Sequence, residues 1–201
     1  MKLYYSPGAC SLASHIALEE TGLPYQAILA PTKTKQLPDG SDYRKINPLG
    51  YVPYLVLDDG TGLSEGAAIM QYIADQAPAK KLAPANGTLA RYKLQSWLNF
   101  IATELHKGFS PMFNPANGND AKAAAKARLI ERLTWVNGEL AGKNYLMGND
   151  FTVADGYLFT ITTWAKPTGL DLTPLTNLTA FSARVAARPA VQAALKAEGL
   201  L

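Results

Sequence analysis

The chain has 201 residues, of which 48% are hydrophobic, and its 19 basic and 16 acidic side chains give a net charge of +3. This length suffices for two small domains, and charges scattered without long like-charged runs give no support to nucleic-acid binding. No stretch approaches the roughly 20 consecutive apolar residues of a membrane span, so we expect no membrane association.

The N-terminus and the cysteine content both favour a cytoplasmic location. Residues 1–7 lack the apolar segment and cleavage site of a secretory signal and are typical of a first strand. The single cysteine, Cys10, excludes an internal disulfide, which fits a reducing compartment.

Residues 1–77 predict a small α/β domain of thioredoxin-like fold. Short β-branched and aromatic runs predict strands at 2–5 and 25–29, with a helix between them that ends at Thr21-Gly22. Residues 54–57 and 62–64 flank an Asp-Gly turn, which is typical of a hairpin, and a helix follows over 65–76. A crossover between the first two strands, with a hairpin added, describes a small mixed sheet.

The remaining residues predict an all-α domain over 88–201, after a Pro-containing linker at 78–87. Its composition shifts towards Ala and Leu at helical spacing. The predicted helices cover 88–109, 120–140, 154–165, 179–187 and 189–198, with a break at Ser110-Pro111.

Cys10 follows a Pro-Gly turn and stands where the first helix begins. Unpaired backbone N–H groups and the helix dipole favour an anion at this position. Such placement lowers a cysteine pKa from its usual value of about 8.5, so the sequence predicts a functional thiol.

Two turns of the first domain have the composition of ligand-binding backbone. Val52-Pro53 directly precedes a strand, where a thioredoxin-like fold carries a cis proline that lets the Val52 backbone pair with an extended peptide. Ser64-Glu65-Gly66 opens a helix, so the N–H groups of Glu65 and Gly66 can bind a carboxylate. A plain helix start with a favourable acidic residue is the alternative for this second turn.

The long helix of the second domain has a polar side that the core does not need. At about 100° per residue, Asn99, Thr103 and His106 cluster opposite an apolar stripe. That stripe consists of Leu94, Trp97, Leu98, Ile101 and Leu105. The polar side faces either solvent or a ligand cleft.

These features resemble the bacterial beta-class glutathione transferases over the whole chain. The specific stretches are Tyr5–Ser11, Asn47–Pro53, Ser64–Gly66, Trp97–His106 and Thr152–Asp155. The resemblance implies a homodimeric enzyme that uses glutathione as co-substrate without a metal and conjugates it to small hydrophobic electrophiles.

The resemblance also implies a set of site residues. Cys10 and His106 would lie near the glutathione sulfur. The remaining glutathione contacts would be Lys35, Val52, Pro53, Glu65, Gly66, Asn99, Thr103, Glu104 and Leu105. Lys35 would hold the glycyl carboxylate, and Glu104 would approach the site of the partner subunit.

Three further groups of residues follow from the resemblance. Thr152 and Asp155 match a capping box, which implies a role in folding and not in turnover. Phe109, Phe113 and Trp164 are candidates for the electrophile pocket, with Pro167 interrupting its helical floor. Other classes of the family activate glutathione with a Tyr or Ser hydroxyl, so Tyr5 and Ser11 remain alternatives to Cys10.

Two rival functions remain open on the sequence alone. Cys10 could instead exchange thiols with a glutathionylated substrate, for which a single cysteine suffices. Alternatively, the fold could carry apolar ligands without catalysis, although a pure scaffold has no need for Cys10, Glu65 and His106 together.

Overall fold

The computed structural model describes every residue from Met1 to Leu201, and the chain divides into two compact units. Unit 1 comprises Met1–Ala83 together with Arg188–Leu201, and unit 2 comprises Pro84–Ala187. None of the helices combines the length and the apolar character needed to cross a bilayer.

Unit 1 contains a four-stranded mixed sheet. Its elements before the second unit are β1 (Lys2–Tyr5), α1 (Ser11–Thr21), β2 (Gln26–Leu29), a 3-10 turn (Tyr43–Lys45), β3 (Tyr54–Val56), β4 (Gly62–Leu63), α2 (Gly66–Gln76) and a second 3-10 turn (Pro78–Lys80). The strand order is β2-β1-β3-β4, with β1 parallel to β2 and the other pairs antiparallel. This topology confirms the predicted thioredoxin-like fold.

The core of unit 1 forms between the sheet and its helices. Leu3 of β1 and Leu55 of β3 are paired in register and fully buried. Apolar side chains of α1 and α2 complete this core: Leu12, Ile16, Ile69 and Ile73. Complete burial of such side chains contributes about 1.5–3 kcal/mol each to the stability of the fold. The apolar residues of the strands and those of the helices therefore stabilise one common core.

Unit 2 is entirely helical, as predicted. Its elements are α3 (Leu89–Phe100), a π-helical segment (Ile101–His106), α4 (Lys107–Phe113), α5 (Asn119–Glu139), α6 (Val153–Thr162), α7 (Ala165–Thr168) and α8 (Thr176–Ala186). All ten residues of α6 are buried. This helix is therefore the centre of the unit, and α3, α8 and the π segment pack against it.

The long helix predicted over 88–109 differs from the structure in two ways. Its second half is the π-helical segment, and α4 continues past the predicted break to Phe113 with Pro111 inside it. Proline removes one backbone hydrogen bond of a helix. Complete burial of Phe109 and packing of α4 against α5 offset this cost, so the helix does not stop at Ser110-Pro111.

The last helix, α9 (Pro189–Ala197), belongs to unit 1, whereas the sequence predicted it within the helical domain 88–201. It packs against α1, and Arg188 pairs with Glu20 at 2.6 Å between Nε and Oε1. The carboxylate of Glu198 is fully buried and lies 2.9 Å from both the Gly8 backbone N–H and His15 Nδ1. These contacts join distant parts of the chain, which local patterning does not reveal.

We predict that unit 1 depends on this buried carboxylate. Glu198→Ala removes the carboxylate that contacts the half-buried Gly8 N–H and the buried His15 imidazole, and we expect the free energy of unfolding to fall by about 2–4 kcal/mol. Urea unfolding measures the change. Asp58→Ala, which removes an exposed pair with the N-terminal ammonium group, is the matched control and should shift the midpoint little. Equal midpoints for the parent and Glu198→Ala would contradict the prediction.

The capping box at the start of α6 is formed as predicted. Asp155 Oδ2 accepts from the Thr152 backbone N–H at 2.8 Å and from its hydroxyl at 2.9 Å. Asp155 Oδ1 accepts from the Leu146 N–H at 2.8 Å, which ties the preceding loop to the same carboxylate. Burial nevertheless raises the pKa of Asp155 from 3.8 to about 6, against the opposing effect of these hydrogen bonds.

Asp155 gives a pH-dependent prediction. Because its pKa is higher in the folded state, the folded protein binds more protons between about pH 4 and 6, and stability from this group falls as the pH rises through that window. Asp155→Asn should abolish this decline. Asp155→Ala should lower the free energy of unfolding by about 2–4 kcal/mol at pH 7, because a buried cap is lost. Urea unfolding at pH 4, 5, 6 and 7 measures both effects, and parallel pH curves for parent and Asn variant would refute the assignment.

Candidate functional site

Cys10 stands at the N-cap of α1, at the end of the turn that follows β1. Its side chain is partly buried, and Sγ donates a hydrogen bond to the Val52 carbonyl oxygen at 3.1 Å. This contact requires the protonated thiol and directs Sγ at the backbone next to Pro53. The structure therefore brings together two parts of the predicted site that are 42 residues apart.

The two alternative hydroxyl groups differ from Cys10 in their surroundings. Ser11 is fully buried, and its Oγ donates to the Ser6 carbonyl at 3.2 Å and accepts from the Ser6 N–H at 3.1 Å. Burial, followed by the charge of Glu198, raises the pKa of Tyr5 above 10. Ser11 thus holds the turn, and Tyr5 is a weaker acid than an exposed tyrosine. Of the three candidates, Cys10 is the one whose side chain contacts the Val52 backbone.

The Val52–Pro53 peptide bond is cis, as predicted. Pro53 is buried, and a Cβ built on Gly66 would lie 3.5 Å from Pro53 Cγ. The first turn of α2 therefore lies against the cis proline. Cys10, Val52, Pro53 and Gly66 form one contiguous site in unit 1.

Two predicted ligand residues have unusual backbone conformations. Lys35 and Glu65 have φ values of 57° and 66°, and the only other non-glycine residue with positive φ is Lys81. Such conformations cost about 1–3 kcal/mol and concentrate at functional sites. Glu65 is the N-cap of α2 and its side chain is exposed, so its carboxylate and the N–H groups of the first helical turn are available to a ligand.

The ammonium group of Lys35 lies beside the loop that leads to Val52. Lys35 Nζ donates to the Gly50 carbonyl at 2.6 Å and lies 5.8 Å from the centre of the Tyr51 ring. This placement holds a positive charge next to the backbone of Val52 and Pro53, which we call the cis-proline edge. It is compatible with the predicted role in binding a carboxylate.

In unit 2, His106 ends the π-helical segment and contacts two aromatic side chains. Its Nδ1 lies 2.7 Å from the Tyr157 hydroxyl oxygen, and its ring centre lies 5.1 Å from that of Trp164. Burial, assisted by the charge of Lys107, lowers the pKa of His106 from 6.5 to about 4. The imidazole is therefore neutral near pH 7, where it can donate one hydrogen bond and accept another.

Tyr157 is a functional candidate that the sequence did not indicate. It lies on the fully buried helix α6 and is itself 4% exposed. Its position in an apolar segment is typical of a core residue, and only the packing of α6 against the π segment brings it to His106. No local pattern could have identified this pair.

The other predicted residues of the second domain have varied surroundings. Asn99 and Thr103 are exposed, and the Thr103 hydroxyl donates to the Asn99 carbonyl at 2.9 Å. Leu105 is completely buried, so it presents no exposed surface to a ligand. Glu104 accepts hydrogen bonds from Arg128 and Arg132, each at 3.0 Å, and the two guanidinium groups lower its pKa. Its carboxylate is thus already engaged within unit 2.

The three predicted pocket aromatics cluster together. Trp164 lies 5.7 Å from Phe109 and 5.5 Å from Phe113 between ring centres. Phe113 is 51% exposed, whereas Phe109 is fully buried, so of these two rings only that of Phe113 presents surface to a ligand. The helical interruption predicted at Pro167 occurs earlier, because α6 ends at Thr162 and Pro167 lies in the short helix α7.

Domain models of a known family match both parts of the chain. The model for the glutathione S-transferase N-terminal domain matches residues 8–76, and the C-terminal domain model matches residues 100–189. Glutathione S-transferase GstA of Escherichia coli O157:H7 is 49% identical over the full length of both chains.

Solved structures agree with this assignment. A sphingomonad glutathione S-transferase in complex with glutathione is 48% identical with a TM-score of 0.96, covering 100% of both chains. The beta-class glutathione S-transferase of Sphingomonas chungbukensis is 47% identical with a TM-score of 0.97, also over 100% of both chains. Sequence identity and structural agreement over the whole length show that this chain belongs to the glutathione S-transferase family.

Proposed function

We propose that this protein conjugates the glutathione thiolate to small hydrophobic electrophiles. The observation that carries the proposal is the contact between Cys10 Sγ and the carbonyl of Val52 beside cis Pro53, since it puts a thiol at the backbone segment with which we expect an extended peptide to pair. The glutathione complex of the sphingomonad relative supports the same ligand. We include in the proposal a homodimer, as the resemblance implies, and a cytoplasmic location, which the single cysteine favours.

Glutathione would lie extended along the cis-proline edge. The Val52 backbone would pair with the cysteinyl residue as a neighbouring strand does. The γ-glutamyl carboxylate would bind the backbone N–H groups at the start of α2, and the ammonium group would bind Glu65. Lys35 would neutralise the glycyl carboxylate. Each charged end of the tripeptide thus has an opposite charge or a dipole in unit 1.

The chemical step requires a thiolate, because the neutral thiol is a weak nucleophile. The glutathione thiol would lose its proton to solvent. Its sulfur would then bond to the electrophilic carbon as the leaving group departs with the bonding electron pair. The Cys10 thiol would shift its hydrogen bond from the Val52 carbonyl to the sulfur anion, and neutral His106 would donate a second hydrogen bond to that sulfur. Tyr157 can donate to His106 Nδ1, which places the imidazole proton on Nε2, where it can serve as a donor.

Thiol-disulfide exchange is a second candidate, favoured by the position of the Cys10 thiol at the peptide-binding edge. The Cys10 thiolate would attack the glutathione sulfur of a mixed disulfide, forming a Cys10–glutathione disulfide and releasing the substrate thiolate. A second glutathione thiolate would then form oxidised glutathione and regenerate Cys10. Electrons balance because the number of disulfide bonds is constant: the bond passes from the substrate to Cys10 and then to oxidised glutathione, with one free glutathione thiol consumed for each substrate thiol released.

Replacement of Cys10 separates the two activities. In Cys10→Ala we expect conjugation of a chlorinated dinitrobenzene to stay within about tenfold of the parent, because a thiol is a weak hydrogen-bond donor. Reduction of a glutathione mixed disulfide should vanish. Cys10→Ser, which keeps a hydrogen-bond donor, is the matched control. Loss of conjugation in both variants, with glutathione binding intact by calorimetry, would show that conjugation requires the Cys10 thiol and would contradict this prediction.

The neutral state of His106 gives a second test. Because its pKa is about 4, the imidazole should not titrate between pH 5.5 and 8, and conjugation should follow the glutathione thiol alone. His106→Ala should lower kcat/KM roughly 10- to 100-fold, as expected for one hydrogen bond to a charged group. Tyr157→Phe keeps the ring but removes the hydroxyl and should cause a smaller loss. A His106 NMR titration with a midpoint near pH 6.5 would contradict this assignment.

A further inference from the structure

Gly50 lies directly beside the side chain of Lys35. The Gly50 carbonyl accepts a hydrogen bond from Lys35 Nζ at 2.6 Å, and Gly50 is itself buried. A Cβ built on Gly50 would lie 3.1 Å from Lys35 Cδ and 3.3 Å from Lys35 Cε. Both distances are shorter than the optimal separation of about 3.5–4.0 Å between carbon atoms. The absence of a side chain on Gly50 therefore leaves the space that the stem of Lys35 occupies.

The turn that contains Gly50 is anchored to a buried tyrosine. Gly50 has a φ of 62°, which favours glycine, and its N–H donates to the Asn47 carbonyl at 2.8 Å. The carbonyl of the next residue, Tyr51, accepts from the Tyr43 hydroxyl and from Asn47 Nδ2, each at 2.8 Å. Tyr43 is completely buried. These bonds hold the backbone of the turn in place against Lys35.

The backbone of Lys35 is held as well. Its N–H donates to the Pro31 carbonyl at 3.1 Å, and its carbonyl accepts from the Tyr43 N–H at 2.8 Å. Because both backbones are held, a Cβ added at Gly50 is accommodated most readily by a shift of the flexible Lys35 stem. That shift would withdraw the ammonium group from the Gly50 carbonyl. The ammonium group has three N–H donors, so its bond to Gly50 leaves donors for a carboxylate.

We propose that Gly50 is a positioning residue for the glycyl carboxylate of glutathione and that it acts through Lys35. The inference rests on the function proposed above, in which Lys35 neutralises this carboxylate. The Gly50 carbonyl holds the ammonium group and the missing side chain admits the stem, so the position of the positive charge depends on both features. The reacting sulfur belongs to the cysteinyl residue, so we expect Gly50 to affect the binding of glutathione and not the chemical step.

The test compares glutathione with glutathione amide, in which a neutral carboxamide replaces the glycyl carboxylate, by calorimetry on the full chain. Gly50→Ala should raise the Kd of glutathione about three- to tenfold, because a hydrogen bond to a charged group is weakened. The Kd of the amide should change less than about twofold, because this ligand lacks the charge that Lys35 neutralises. In conjugation assays the KM for glutathione should rise by the same factor, while kcat changes less than about twofold.

A double-mutant cycle tests whether Gly50 acts through Lys35. Lys35→Met keeps most of the stem and removes the charge, and it should raise the Kd of glutathione about tenfold. In the Lys35→Met background, Gly50→Ala should add less than about twofold, because the group that it displaces is already absent.

Two further variants separate the contact with Lys35 from backbone strain. Gly22 has a φ of 70°, but a Cβ built on it meets no atom within 4 Å. Gly22→Ala is therefore the matched control and should leave the affinity for both ligands unchanged. Gly50→Asn adds the same Cβ with a residue that tolerates the left-handed conformation better than alanine, and it should weaken glutathione binding as Gly50→Ala does. Circular dichroism confirms that each variant is folded.

Three results would overturn the inference while leaving the proposed function intact. The first is an equal loss of affinity for glutathione and its amide in Gly50→Ala, which would show that Gly50 supports the cis-proline edge as a whole. The second is unchanged glutathione affinity in both Gly50 variants, and the third is additivity of Gly50→Ala and Lys35→Met. A parent protein that binds neither glutathione nor its amide would instead overturn the proposed function, and this inference with it.

Discussion

The buried carboxylate of Glu198 fixes the turn that presents Cys10. One oxygen accepts from the Gly8 N–H before Cys10, and the other contacts His15 on the helix that begins after it. Removal of a carboxylate from water costs several kcal/mol unless it is well paired, so this geometry tolerates little displacement. The same contacts draw α9 into unit 1. The end of the chain is thus part of the scaffold behind the site that its first ten residues form.

Burial shifts the pKa values of Asp155 and His106 in unit 2 in opposite directions, and each shift favours the neutral form of the side chain. It raises the pKa of Asp155 to about 6 and lowers the pKa of His106 to about 4. Asp155 retains a structural role because three donors converge on its carboxylate. His106 has one identified hydrogen-bond contact in unit 2, with Tyr157, and as a neutral imidazole it combines donor and acceptor capacity. Three converging donors fit a structural role for Asp155, whereas the donor and acceptor capacity of His106 fits the role that we propose for it.

Local patterns in the sequence were sufficient for most of the fold. Alternating strands, the Asp-Gly hairpin and the Thr152–Asp155 capping box each depend on neighbouring residues, and all are present. Helical spacing also placed Leu105 on the apolar stripe, which agrees with its complete burial, whereas the resemblance had included it among the glutathione contacts. The site in unit 1 was anticipated from the turns at Cys10, Val52 and Glu65. Contacts across long separations were not, including Gly8 with Glu198 and His106 with Tyr157.

The π-helical segment explains why the second half of the predicted site was harder to place. The polar cluster of Asn99, Thr103 and His106 was predicted with a constant α-helical repeat, but the backbone changes its repeat after Phe100. Thr103 still reaches the Asn99 carbonyl one turn earlier, so these two residues share a side. His106 instead lies beside Tyr157 and Trp164 in an aromatic environment. A change of repeat rotates the residues that follow it relative to the start of the helix, so His106 need not share a side with Asn99 and Thr103. Such π segments occur frequently at functional sites.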